Sequence, residues 1–469
     1  MTSVHRIAIG YLAIPLVVWI FWWCELYISI PIAIATAVFL VDQTPKLQLS
    51  ITRRDIILIA VGILFAGISR SFGFFDATNG DWVKHFGILQ ALVDFSWPVE
   101  IDGAYLRYYL GYYVVPAGMA KIVGIESLRW FLGLWTGLGI GLFLIMLTRR
   151  LDTRLVIGVL VLLVIFSGID WLKAVGDFLP TGPIYHLEPI TYPMSILREL
   201  GMRDGTTFIE DTIWSLQISS FATLLMFVPQ HLIPGLLGTM MIIQCGGNPE
   251  HTKLSILIIA LCAFWSPFVA LGLVVLQLAQ VWKPQKYLSV HNLIALPIGL
   301  VLVIYTASGP SVSSLWFFLD YPSIWLGVLI LWLEVGVIAG MLFWIRPGLR
   351  YSRIFWASLV SIALLSFFHF GYFNDLLMRA TIPAMVVLLY YLTRLASRWR
   401  MKKIPRLPKA VLIMVLLAAM IGPIVEYVRS LATYLPVEFI YHWNYVIRIE
   451  PNMAQYLADK TVILELMLR

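Results

Sequence analysis

Charge is what this chain of 469 residues lacks most. Asp, Glu, Lys and Arg make up 13% of it, against 60% hydrophobic residues. A soluble globular protein carries about 25% charged residues, so the whole chain is not a water-soluble fold. Cysteine is scarce as well. Cys24, Cys245 and Cys262 lie in or beside apolar stretches without metal-ligand spacing, which argues against a disulfide framework. HExxH, GxSxG, Walker and Rossmann signatures do not occur. Zinc-protease, hydrolase, ATPase and dinucleotide readings therefore lack support, and no nucleotide cofactor is expected. Internal repeats and low-complexity tracts are missing too, against an inverted-repeat transporter. The net charge of +7 comes from dispersed basic residues. It reads as the positive-inside bias of a membrane protein, and no nucleic-acid partner is expected.

Apolar blocks fill the space that charge leaves. A spanning helix needs roughly 20 apolar residues. Candidates are 7–23, 28–41, 56–72, 130–148, 155–171, 289–307, 324–345, 354–371, 380–396 and 410–427. Two longer stretches, 212–245 and 254–281, are interrupted by Pro229, Pro234 and Pro267 and supply three more crossings. The expected fold is all-α, a polytopic bundle of about 13 spans, organised as one membrane domain over 1–469. Ile7 to Trp23 reads as a retained first span, because no small-residue cleavage site follows it. The 18 Trp and 21 Tyr exceed what cores need, and both types favour the bilayer interface.

Basic groups set the orientation. Lys46, Arg53 and Arg54 form one, Arg149, Arg150 and Arg154 a second, and Lys283 and Lys286 a third. Arg346, Arg350 and Arg353 follow, then the run from Arg394 to Lys409. One topology puts all of them in the cytoplasm. It leaves four segments outside: a first loop over 72–129, a second over 172–211, a short third that includes Gly371 to Arg379, and a C-terminal tail over 428–469. Within the first loop, Tyr105 to Val123 resembles a span, but counting it as one would reverse the Arg149 group. It is expected to lie along, or dip into, the outer interface, with Tyr105, Tyr108, Tyr109, Tyr112 and Tyr113 as an aromatic face.

The charges cluster in that loop. Asp81, Lys84 and His85 stand at i, i+3 and i+4 and share one helical face, with Asp76 just upstream. Two carboxylates, a cation and an imidazole can deprotonate an acceptor and hold an anionic leaving group. A solvated loop helix capped by Asp76 or Asn79 is the plain alternative. Asp76, Asp81 and His85 also suit a divalent cation, Mg²⁺ or Mn²⁺. Near a late hairpin, Asn374, Asp375 and Arg379 precede Pro383. Arg379 there either grips a phosphate through its fork or pairs with Asp375 at i+4. Gln230 and His231 interrupt an apolar stretch, which marks either a site or a satisfied pair.

The first loop also resembles a known superfamily. After Asp76 come GDWVKHFGILQAL, then WPVEIDGAYLRYYLGYYVVPAGMAKIVGIESLRWFLGLWTGL and a basic TRRL; later GYFNDLLMRATIP follows. This order is similar to GT-C glycosyltransferases, which include protein O-mannosyltransferases and aminoarabinose transferases. The resemblance covers about residues 56–150, without the usual adjacent acidic pair and without a large soluble C-terminal domain. It implies a polyprenyl-phosphate-sugar donor taken from the surrounding lipids and a multi-pass protein of the bacterial inner (cytoplasmic) membrane. Transfer to an acceptor on the outer face would proceed with inversion. It makes an outer-loop Asp, Asp81 or Asp76, the base; position and charge add His85 to catalysis and assign donor-phosphate binding to Arg379, Lys84 and Arg107. Asp375, Asn374, His231 and Gln230 would support them. Rival readings are a transporter or flippase for a lipid-linked sugar, with Glu334 its clearest deep charge, an O-antigen ligase or polymerase, and a non-catalytic assembly subunit.

Overall fold

Caps and prolines decide where the apolar stretches become helices. The computed structural model describes residues 3–32, 34, 51–69, 81–101, 103–149, 151, 153–169, 216–245, 252, 254–281, 287–308, 315–317, 324–371, 374–398, 405–432 and 456–468. Thr52 and Asp55 close a capping box at the start of helix Arg53–Ile68. Ser266, Ser289 and Ser352 each accept a backbone N–H three residues on, which satisfies donors that a helix start leaves open. Pro267 takes the first position of Pro267–Gln280, where its missing N–H costs nothing. The stretch 254–281 accordingly divides at Ser266, and 212–245 divides at Val228, directly before Pro229. Pro234 does not interrupt its stretch. It lies inside Pro229–Cys245, and its carbonyl accepts the Cys262 thiol of a neighbouring helix at 3.7 Å.

The described residues are mainly helical. Five helices are long and apolar enough to cross a bilayer: Val4–Trp23, Ile125–Thr148, Gly327–Ile345, Asp375–Ala396 and Arg406–Tyr427. Others are shorter than the hydropathy pattern suggests. The 155–171 stretch gives a helix over Thr153–Ile165, and 354–371 one over Arg353–Leu365. Two small sheets interrupt the expected all-α pattern, one of three strands and one of two. Asp76, Lys46, Lys283, Lys286, the loop 172–211 and residues 433–455 of the tail fall outside the described residues.

The chain divides into two compact units, each assembled from separated segments. The first comprises Met1–Arg149, Phe227–Ser314 and Leu435–Arg469; the second comprises Arg150–Met226 and Leu315–Tyr434.

Helix Leu128–Thr148 organises the first unit. A Cβ on Gly137 would stand 2.4 Å from Ile63 Cα, and one on Gly62 would stand 2.5 Å from the Gly137 carbonyl oxygen. Backbones of Arg53–Ile68 and Leu128–Thr148 thus touch, as small residues permit between helices that gain nothing from apolar burial in lipid. Arg54 donates to the Thr148 carbonyl at 2.8 Å, placing a cation at a helix C-terminus where the dipole favours it. The Arg53 and Arg149 groups therefore sit at the same end of this unit. The first loop folds back as strands Glu100–Ile101 and Ala104–Leu106, and Leu457–Asp459 adds beside the second of them. Gly103 makes the turn at φ 81°, a left-handed conformation that favours glycine.

The aromatic face expected on the run from Tyr105 to Val123 is corrected. It comprises that strand, a turn at Leu110–Tyr112 and the short helix Val114–Val123. Tyr105, Tyr108, Tyr112 and Tyr113 are buried in the unit and form no outward aromatic face. Hydroxyl partners make burial affordable: Tyr112 bonds Thr136 at 2.7 Å, and Tyr113 bonds His85 at 2.6 Å.

In the second unit the span Gly327–Ile345 contains a π-turn at Trp332–Gly336 with Glu334 buried in it. Ile218 N–H donates to the Glu334 carboxylate at 3.4 Å. Gly168 lets the preceding backbone approach, since a Cβ there would lie 2.5 Å from Glu334 Cα. Trp316–Phe317 pairs with Phe368–His369.

Candidate functional site

The loop helix Asp81–Asp94 carries the densest set of predicted site residues. Asp81 opens it, where a carboxylate meets the positive end of the helix dipole. Lys84 Nζ lies 3.2 Å from Asp81 Oδ1; the Asp81 side chain is 40% exposed and that of Lys84 11%. Helical spacing brings these two together as expected.

His85 departs from the expectation. It is completely buried, with Nε2 2.8 Å from the Phe227 carbonyl and Nδ1 2.6 Å from the Tyr113 hydroxyl. A carbonyl oxygen only accepts, so Nε2 carries a hydrogen, and Nδ1 shares a hydrogen bond with the Tyr113 hydroxyl. The imidazole is turned into the unit, toward Phe227 and Tyr113. The break before Pro229 lies beside this contact: His85 donates to the carbonyl of Phe227, the last residue of the helix before it. Both ring nitrogens of His85 have protein partners in this geometry. No group of three or more His, Cys, Asp or Glu suited to a metal occurs among the described residues.

From His85 a chain of rings crosses the unit. Tyr113 lies against His85, Tyr108 against Tyr113 and Tyr109 against Tyr108, with centroids 5.8, 5.8 and 4.9 Å apart. Tyr109 then meets the His231 ring edge-on at 5.3 Å. Ser266 Oγ accepts the Val269 N–H at 3.3 Å and shares a hydrogen bond with His231 Nδ1 at 2.7 Å. His231, predicted as a supporting residue, thus joins the first-loop residues through Tyr109. Its neighbour Gln230 is completely buried, and neither atom of its amide has a hydrogen-bond partner among the described residues.

Arg107 approaches the same tyrosines. Burial lowers its pKa, and the Tyr109 and Tyr305 phenols beside it oppose that shift. For Tyr113, burial is the main cause that lifts the hydroxyl well above the phenol range; Tyr108, Tyr112, Tyr456 and the Asp81 carboxylate add to it. Tyr113 therefore stays a neutral donor. Tyr456 is a residue that sequence reasoning missed. Its ring stands 5.1 Å from Tyr108, and its carbonyl accepts the Arg107 N–H at 2.7 Å. No local pattern in the tail pointed to it, because strand pairing with residues 350 positions away placed it there.

Asn374, Asp375 and Arg379 belong to the second unit. Arg379 Nη2 lies 2.7 Å from Asp375 Oδ1, the i,i+4 pair that the spacing predicts. Asn374 is left-handed at φ 56°, ψ 56°. Its Oδ1 accepts from Phe370 N and Leu377 N at 3.3 and 3.4 Å, which makes it a helix cap. Gly371, at φ 84°, clears room for the carboxylate, since a Cβ there would stand 2.6 Å from Asp375 Oδ2. Burial lowers the His369 pKa in this turn, and Asp375 opposes the shift.

No protein-family model matches the chain, no curated protein matches it, and no solved structure matches it. A functional reading has to stand on the residues themselves.

Proposed function

We propose that this chain is a polytopic membrane glycosyltransferase of the GT-C kind, with about 13 spans, in the bacterial inner membrane. It moves a sugar from a polyprenyl-phosphate donor to an acceptor on the outer face. One observation carries the reading: Asp81, partly exposed and held by Lys84 at 3.2 Å, opens a loop helix whose buried His85 packs against Tyr113. A positioned carboxylate beside a cation is what this transfer needs. The Asp81 carboxylate takes the proton from the acceptor hydroxyl. The acceptor oxygen bonds to the anomeric carbon, and the carbon–oxygen bond to the phosphate breaks. The polyprenyl phosphate leaves with the electron pair, and Lys84 and Arg107 offset its charge. His85 and Tyr113 position the loop helix. Asp76 stays a second candidate base, and Arg379 in the second unit is proposed to bind a donor phosphate.

The test is transfer from a polyprenyl-phosphate sugar in reconstituted vesicles. Asp81→Asn is expected to lower turnover about 10²–10⁴-fold with normal expression. Normal turnover in both Asp81→Asn and Asp76→Asn would put the chemistry elsewhere. A buried Glu334 in a π-turn favours a second reading, a flippase for the same lipid, because intramembrane acids and π-turns both mark functional positions. Movement of the lipid across vesicles without any transfer would select it.

A further inference from the structure

We propose that the first turn of helix Pro229–Cys245 is a carbohydrate subsite, in which the Gln230 amide holds a vicinal diol of the sugar. This deepens the transferase reading and rests on it for the class of ligand. A side-chain amide has one acceptor and one NH₂ donor, and a buried one is nearly always satisfied. Gln230 is completely buried, and both ends of its amide lack a partner among the described residues. It is an uncharged group that demands a donor and an acceptor together. Two adjacent hydroxyls provide that pair at matching spacing, whereas a lone phosphate oxygen only accepts.

The neighbours fit the same ligand. His231 follows Gln230 in the turn, fixed through Nδ1 by Ser266 and braced by the Tyr109 ring. Tyr109 is only half-buried, and Phe268 lies 6.4 Å from it. Aromatic faces pack against the C–H faces of a sugar ring while amides take its hydroxyls. The helix break at Val228 puts Gln230 in the first turn of a 17-residue helix, whose His231 and Leu232 N–H groups bond the Val228 carbonyl, so the Gln230 amide itself is the group left for a ligand.

The experiment uses the full chain in lipid nanodiscs, free of glycosidic detergent. Methyl glycosides of mannose, glucose, galactose and arabinose are titrated while the melting temperature is followed. Gln230→Met keeps length and shape but removes both polar ends. At least one glycoside should stabilise the wild type saturably, and Gln230→Met should need at least about tenfold more of it. Gln230→Glu, which keeps an acceptor and loses the NH₂ donor, should fall between them. Without sugar, Gln230→Met should melt at or above the wild-type temperature. A lower melting temperature would show that protein already satisfies the amide, and the proposal would fall. It would also fall if every glycoside acted equally on wild type and variant. The transferase reading fails separately. Gln230-dependent glycoside binding without any lipid-linked transfer removes that reading and keeps the subsite. Asp81-dependent transfer without Gln230-dependent binding does the reverse.

Discussion

Removing the His85 imidazole would break two buried hydrogen bonds at once, to the Phe227 carbonyl and to the Tyr113 hydroxyl. Each lost partner costs about 1–3 kcal/mol. His85→Phe should therefore lower the melting temperature clearly, and Tyr113→Phe should do so by roughly half as much, while Asp81→Asn leaves it nearly unchanged. A His85→Phe protein that melts normally yet cannot transfer would restore the imidazole to the chemistry. His369 gives a pH test at the same scale. Burial depresses its folded-state pKa below the ordinary value of about 6.5. The unfolded chain then binds the proton more readily, so stability falls as pH drops below about 6.5. His369→Gln should flatten the melting temperature between pH 7.5 and 5.5. An unchanged slope would assign it to other groups. Arg379 is decided by two measurements on one variant. If it binds donor phosphate, Arg379→Ala raises the donor KM. If its only duty is the Asp375 pair at 2.7 Å, it lowers the melting temperature and leaves KM alone.

At the scale of helices, contact between Arg53–Ile68 and Leu128–Thr148 depends on glycines that admit no side chain. Gly137→Ala would place a methyl 2.4 Å from Ile63 Cα, a backbone atom that cannot rotate away. Overpacking of this kind costs about 1–3 kcal/mol, and Gly137→Ala should melt lower by a corresponding amount. Gly10 is the control. Nothing lies within 4 Å of a Cβ there, so Gly10→Ala should be neutral or stabilise by about 0.5–1 kcal/mol through helix propensity. Equal effects at both positions would mean that the close approach is not required. The helix breaks at Val228 and Ser266 belong to this scale as well. Pro229 and Pro267 announce them in the sequence, but the groups that complete the broken ends, His85 for one and His231 beside the other, come from elsewhere in the fold.

For the whole molecule, pairing of Ala104–Leu106 with Leu457–Asp459 ties the C-terminal segment to the first loop. Lys460 pairs with Glu100 at 2.8 Å, and Cys24 bridges to Leu468. Arg54 instead meets Thr148, at the far end of a 21-residue helix, roughly 30 Å long. In a cysteine-free background, Glu100→Cys and Thr461→Cys should react with an impermeant reagent from the same side of sealed vesicles. Arg53→Cys should react from the opposite side. Labelling of positions 100 and 461 from opposite sides would contradict the three-stranded sheet.

Local rules were enough for several features. Hydropathy over about 20 residues marked the long helices, prolines marked the breaks, and helical spacing marked the pairs Asp81–Lys84 and Arg379–Asp375. Each depends on residues within one or two turns of one another. The sequence alone also determined that the chain is too poor in charge to be a soluble globule. Tertiary structure decided the rest. The tyrosines of the first loop look interfacial because each has an apolar ring and a polar tip, yet partners such as Thr136 and His85 let four of them be buried. His85 looks like a base until the Phe227 carbonyl, 142 residues away, takes its Nε2 hydrogen. Strand Leu457–Asp459 finds its place only by hydrogen bonding to the first loop. Such long-range bonds and steric fits depend on which distant atoms come within about 3 Å, and that distance is fixed only when the helices have packed.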